Sequence, residues 1–183
     1  MQLSAKMVRE RLAHMKPRLT NCSLETSRKG QNAVGELMRA VHHGQVRVKH
    51  HDFENFEGAW VLPDDPRRDG TILYLHGGGY TCGGLEYALG FGAALADECG
   101  AKVFCAAYRL APEFPVPAAV EDAAQAYEYL LKKGYAPEKI SLCGESAGGG
   151  LCFALCLYLR QQGLPLPGSI VAISPWTDLT FSG

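Results

Sequence analysis

The 183-residue sequence contains no apolar run of transmembrane length, which for a spanning helix is about 18 residues or more, so no membrane-crossing helix is expected. It has no excess of either charge, with 18 Lys and Arg against 19 Asp and Glu. A cationic surface able to neutralise a row of phosphates is therefore missing, which argues against a nucleic-acid partner. Near the N-terminus, Lys6, Arg9, Glu10 and Arg11 interrupt the apolar residues before an export signal can form. The seven cysteines are odd in number and none forms a Cys-x-x-Cys pair. That argues against a disulfide framework or zinc site and leads us to expect reduced, mostly buried thiols in a cytoplasmic protein. No metal-ligand cluster and no nucleotide or flavin fingerprint occurs, so no metal and no cofactor is expected. Finally, no histidine follows position 76: the six are His14, His42, His43, His50, His51 and His76.

What is present is a change of period along the chain. Val8, Leu12 and Met15 follow helical spacing, as do Val34, Leu37, Met38 and Val41. Pro17 and the run Thr20-Asn21-Cys22-Ser23 separate the two, predicting two helices joined by a loop. From Val46 the pattern alternates, with Val46, Val48 and His50 on one face of a first strand and Trp60 and Leu62 closing a second. The apolar runs Ile72–Leu75 and Val103–Ala107 read as buried strands, and Lys139–Cys143 and Ser169–Ile173 as two further strands. Helical stretches at 85–98, 118–133 and 147–161 lie between them. This alternation predicts an α/β fold, a mostly parallel sheet flanked by helices.

Two motifs carry chemistry. Gly144-Glu145-Ser146-Ala147-Gly148 is a G-x-S-x-G pentapeptide lying between a predicted strand and a predicted helix. In a chain with 21 glycines the string alone says little. In this context it specifies a sharp turn that lifts a serine hydroxyl above the sheet, with small neighbours because two backbones pass close together. His76-Gly77-Gly78-Gly79 follows another buried strand. Glycines there let backbone N–H groups turn toward a carbonyl oxygen that gains charge during acyl transfer. His76 precedes those glycines, and its expected task is to hold the loop rather than to act as a base.

These residues, with Tyr108–Glu113 and Ser174–Asp178 in the same order, resemble the blocks of the hormone-sensitive-lipase-like branch of the α/β-hydrolases. The resemblance runs from about residue 45 to 183. It implies a partial α/β-hydrolase core over 43–183 and an N-terminal helical cap segment over 1–42. It further implies a carboxylesterase acting on small-molecule esters of short to medium acyl chains through an acyl-enzyme. Ser146 would be the nucleophile, and the N–H groups of Gly78, Gly79 and Ala147 would form the oxyanion hole. Tyr80 would line the pocket entrance, Glu145 and His76 would support loops, and Tyr108–Glu113 would buttress the site.

The sequence departs from that pattern in one respect. In this fold the triad runs serine, acid, histidine along the chain, yet after Ser146 there is one acid, Asp178, and no histidine. Asp178 resembles a structural aspartate of the family. The chain by itself is therefore expected to be nearly inactive, and Ile170–Ile173 is expected to form an open apolar sheet edge that a further segment or chain would complete. A non-catalytic ligand-binding relative and a truncated product without function are the alternative readings.

Overall fold

The structure, a computed structural model, describes residues 22–180. The helix expected around Val8, Leu12 and Met15 lies outside them. The first described helix is α1 (Leu24–Val41), opened by Ser23, whose hydroxyl accepts the Thr26 N–H. Strands β1 (Val46–Asp52) and β2 (Glu57–Pro63) form an antiparallel hairpin, and β2 pairs antiparallel with β4 (Lys102–Ala107). The strands β3 (Thr71–Leu75), β4, β5 (Ile140–Glu145) and β6 (Ser169–Ile173) are mutually parallel, giving the order β1-β2-β4-β3-β5-β6.

Helix α2 (Leu85–Cys99) connects β3 to β4 and covers one face of the sheet. There Leu89 and Ala93 join Val61, Tyr74, Val103 and Cys105 in one core cluster. Helices α3 (Ala118–Lys132) and α4 (Ala147–Gln161) cover the other face. They bury Tyr127, Leu130, Leu151 and Leu155 against Leu73, Leu75, Phe104 and Leu142. Burial of side chains of this size contributes about 1.5–3 kcal/mol each. After β3 the chain turns toward β4, and after β5 it turns toward β6. Adjacent parallel strands whose connections diverge leave a crevice at their C-terminal ends, and Leu75 and Gly144 sit side by side there.

The expected strands and the mostly parallel sheet are present. The second of the two expected N-terminal helices is present, but its apolar spacing does not mark its buried face. The stripe Val34, Leu37, Val41 of α1 faces outward, with exposures of 49%, 70% and 80%. The inward face instead carries Arg28, Gln31, Asn32 and Gly35. The reason is what lies beneath. Gly35 crosses α2 at Gly90 so closely that a Cβ on Gly90 would lie 2.5 Å from the Gly35 carbonyl oxygen. Polar pairs flank that crossing: Arg39 with Glu86 at 3.0 Å, and His42 donating to Asp97 at 2.7 Å. The cysteines are also less uniform than expected. Cys105, Cys143 and Cys152 are buried, and burial pushes their thiols up, Cys143 to about 11 and Cys152 to about 12. Cys99 is exposed at the end of α2. Strand β6 is an edge among the described residues, with Val171 and Ile173 half-exposed.

Candidate active site

Ser146 is the single residue between β5 and α4. Its backbone lies at φ 52°, ψ −119°, a region that costs a non-glycine residue about 1–3 kcal/mol, and its side chain is exposed. Backbone hydrogen bonds fix it from three sides. Its N–H donates to Ile173 O at 2.9 Å, and its carbonyl accepts from Gly150 N at 3.1 Å and Trp176 N at 2.8 Å. The glycines are required by the approach of strand to helix. A Cβ on Gly144 would sit 2.6 Å from the Leu75 oxygen and from the Gly148 carbonyl carbon, and one on Gly148 would strike the Leu75 and His76 oxygens.

The loop after β3 lies beside this turn because Leu75 pairs with Gly144. Gly78 and Gly79 take φ 124° and 63°, values open to glycine but not to most residues. The Gly78 carbonyl is occupied by Cys82 N at 2.9 Å. Among the described residues, the N–H groups of Gly78, Gly79 and Ala147 donate to no protein oxygen. Ala147 also opens α4, where the helix dipole favours negative charge.

Glu145 ties the two segments together. One carboxylate oxygen accepts the Gly77 N–H at 2.6 Å and the other the Tyr74 hydroxyl at 2.7 Å. Both oxygens are thus committed as acceptors, and burial followed by the Glu145 charge keeps Tyr74 firmly protonated. His76 is fully buried, stacked 4.3 Å from the Tyr108 ring, and its Nδ1–H donates to Gly77 O at 2.8 Å. Burial lowers its pKa to about 4, so it is neutral at pH 7. Tyr108 donates its hydroxyl to His76 O at 2.6 Å. Tyr80, half-buried, stands between the rings of Tyr108 and Trp176, 6.4 Å and 6.0 Å away. Asp178 Oδ1 accepts from Thr180 N and Oγ1 at 2.8 and 2.5 Å, which closes its own turn.

Residues 72–183 match the alpha/beta hydrolase fold family. The chain is a member of the α/β-hydrolases, in the branch that includes hormone-sensitive lipase. An acetyl-hydrolase of Streptomyces hygroscopicus is 49% identical over 125 residues, which make up 68% of this chain and 41% of that protein. Human hormone-sensitive lipase is 36% identical over 125 residues, 66% of this chain and 12% of that one. A crystal structure of an esterase from the bacterial hormone-sensitive lipase family superposes with a TM-score of 0.82 at 34% identity, covering all of this chain and 61% of that one. The chain thus spans about half the length of the hydrolases it resembles, apart from the much longer lipase. Ester hydrolysis in general is the activity these relatives share by name. Among the described residues, no helix is long and apolar enough to cross a membrane, and no cluster of metal-ligating side chains occurs.

The crevice at the ends of β3 and β5 brings together Ser146, Ala147, Gly78, Gly79, Glu145, His76 and Tyr80. Sequence reasoning missed Arg28. From α1 its guanidinium donates to Thr81 O at 2.7 Å, Ala111 O at 3.0 Å and both Glu113 oxygens at 2.8 and 2.7 Å. That pairing holds the Glu113 carboxyl near 2. One side chain thus links α1 to both loops around the crevice. Its partners lie 53 to 85 residues away, and nothing local in the sequence points to them.

Proposed function

We propose that this chain carries the nucleophile and the oxyanion-binding loop of a carboxylesterase for short to medium acyl esters. Ser146 Oγ attacks the ester carbonyl carbon and gives up its proton, and the carbonyl oxygen gains the negative charge. On collapse the carbon–oxygen bond to the alcohol breaks, the alcohol leaving with a proton as the acyl-enzyme forms. The N–H groups of Gly78, Gly79 and Ala147 receive that oxyanion, each such donor being worth about 2.7–4 kcal/mol of barrier. Glu145 and His76 are positioning residues: they hold the loop by its Gly77 N–H and carbonyl. Tyr80 stands at the pocket entrance, and the N-terminal segment 1–42 contributes to a cap over it. The observation that carries this reading is the coincidence of a strained, exposed serine with three unclaimed N–H groups at the end of the same two strands.

No described side chain hydrogen-bonds Ser146 Oγ, which supports the reading that its base lies outside the described residues. His76 spends its proton on Gly77 O and is buried. The 183-residue chain by itself should then retain only the roughly 10³–10⁴-fold acceleration that binding and an oxyanion hole supply. Hydrolysis of p-nitrophenyl butyrate by this chain tests that statement. Turnover well below about 1 s⁻¹, the lower end of ordinary enzyme rates, is expected. Faster turnover that Ser146→Ala abolishes would show that a base is present.

A further inference from the structure

A second cavity, of about 830 Å³, lies far from Ser146. It opens at the N-terminal ends of the parallel strands, where Lys102 begins β4 and Lys139 precedes β5. Ser146 sits beyond their C-terminal ends. The cavity is bounded by the edge strand β1 and by the end of α3, on the sheet face that α3 covers. Its volume falls in the range of small-molecule sites.

The lining has two distinct parts. The floor is aromatic. Trp60 stacks on Tyr135 at 5.9 Å, and His51 stacks on Tyr129 at 4.1 Å with an interplanar angle of 18°. The indole N–H of Trp60 donates to the Tyr129 hydroxyl at 3.0 Å, which fixes both rings. The rim is cationic. Lys49, Lys102, Lys133 and Lys139 surround the opening, and Asp69 is its single carboxylate. Asp69 pairs with Lys139 at 3.6 Å. Lys49, Lys102 and Lys133 have no ion-pair partner among the described residues. Lys133 already lies over the Tyr129 ring, 5.4 Å from its centroid. The chain as a whole is almost neutral, with a net charge of −1, so three unpaired lysines around one aromatic floor are a local concentration of charge. Such a concentration focuses potential into a concave, low-dielectric space.

We propose that this groove binds a small, multiply charged anion that carries a flat aromatic ring, the chemistry of a nucleoside polyphosphate. The ring lies against His51 and Tyr135, the half-buried outer members of the two stacks, where a π-face is stacked by a π-face. The anionic part is held by Lys49, Lys102 and Lys133 as point charges rather than by a glycine-rich loop. Both halves are needed: the lysines alone would hold any polyanion weakly, and the floor alone would hold a neutral ring weakly.

The experiment is titration calorimetry of the 183-residue chain with ATP free of divalent metal, beside adenosine and inorganic pyrophosphate as separate probes. One saturable site for ATP is expected, with adenosine and pyrophosphate each weaker by about tenfold or more. ATP affinity should fall as salt is raised, because charges are screened over about 8 Å at physiological ionic strength. The double variant Lys49→Gln, Lys133→Gln removes two exposed side chains, so its fold should be kept, as its circular dichroism and melting curve will show. It should bind ATP about tenfold or more weakly. Absence of saturable ATP binding, unchanged affinity in the double variant, or pyrophosphate binding as tightly as ATP would each overturn the proposal.

Discussion

Two helices meet the crevice, and they are held there in opposite ways. Helix α4 arrives by covalent necessity: it begins one residue after β5, and the tightest contacts at Gly144, Gly148 and Gly150 are backbone against backbone. Gly144, Gly148 and Gly150 leave no room for a Cβ, and Ser146 is fixed by three main-chain hydrogen bonds. Helix α1 arrives from a distance and is held by side chains. Arg28 reaches two loops, Arg39 and His42 reach α2, and the apolar stripe faces outward. A site built by the first device is geometrically stiff, because interiors packed backbone to backbone do not relax. One built by the second depends on charge and can be loosened by pH or by one substitution.

The largest expected effect sharpens the first half of that contrast. Gly148→Ala places a methyl group against the Leu75 and His76 oxygens, the first on a residue of the β3–β5 ladder and the second held by the Tyr108 hydroxyl. A loss of about 4 kcal/mol or more is expected, read as a fall in the urea midpoint or as failure to fold. Next comes His76. Its pKa is about 4 in the folded chain, against 6.5 when exposed. Between these values the unfolded state binds the proton and the folded state does not. Stability is therefore complete above pH 6.5 and falls as pH drops toward 4, by about 3 kcal/mol at about 1.4 kcal/mol per unit. Urea titrations at several pH values check this, with His76→Asn expected to lose that part of the slope. Glu113, held near 2 by Arg28, titrates in a separate window, between about 4.5 and 2. Arg28→Ala removes donors from the Thr81 and Ala111 carbonyls. A loss of about 1–2 kcal/mol is expected, with faster hydrogen exchange in α1 and unchanged exchange in α4. Smallest of all, Leu37→Gln, at a residue 70% exposed, should change stability by less than about 0.5 kcal/mol. A large loss there would mean that the outward stripe of α1 is covered after all.

The same contrast explains how much could be read beforehand. The sheet and the serine turn were legible because their causes are local. Apolar runs of strand length, a period change and glycines at a crossing all sit within a few residues of what they determine. The bounds of α4 and β6, 147–161 and 169–173, match those expected. The orientation of α1 was not legible, since hydrophobic periodicity assumes that the buried face is the apolar one. Here Gly35 and Arg28 meet partners that folding brings in from far along the chain. The aromatic groove was equally hidden. Its floor joins Trp60, Tyr129 and Tyr135 across the β2 strand and the end of α3, and no spacing in the sequence announces that.

The central claim is that Ser146 is the nucleophile of an ester-cleaving site. Without a base, acylation by an activated ester is slow, but hydrolysis of the resulting serine alkyl ester is slower still, so the acyl-enzyme should accumulate on prolonged exposure. Intact-mass spectrometry of the chain after exposure to p-nitrophenyl butyrate should therefore show a single butyryl adduct. Peptide mapping should place it on Ser146, and Ser146→Ala should abolish it. No adduct, or adducts scattered over lysines and unchanged by Ser146→Ala, would contradict the account.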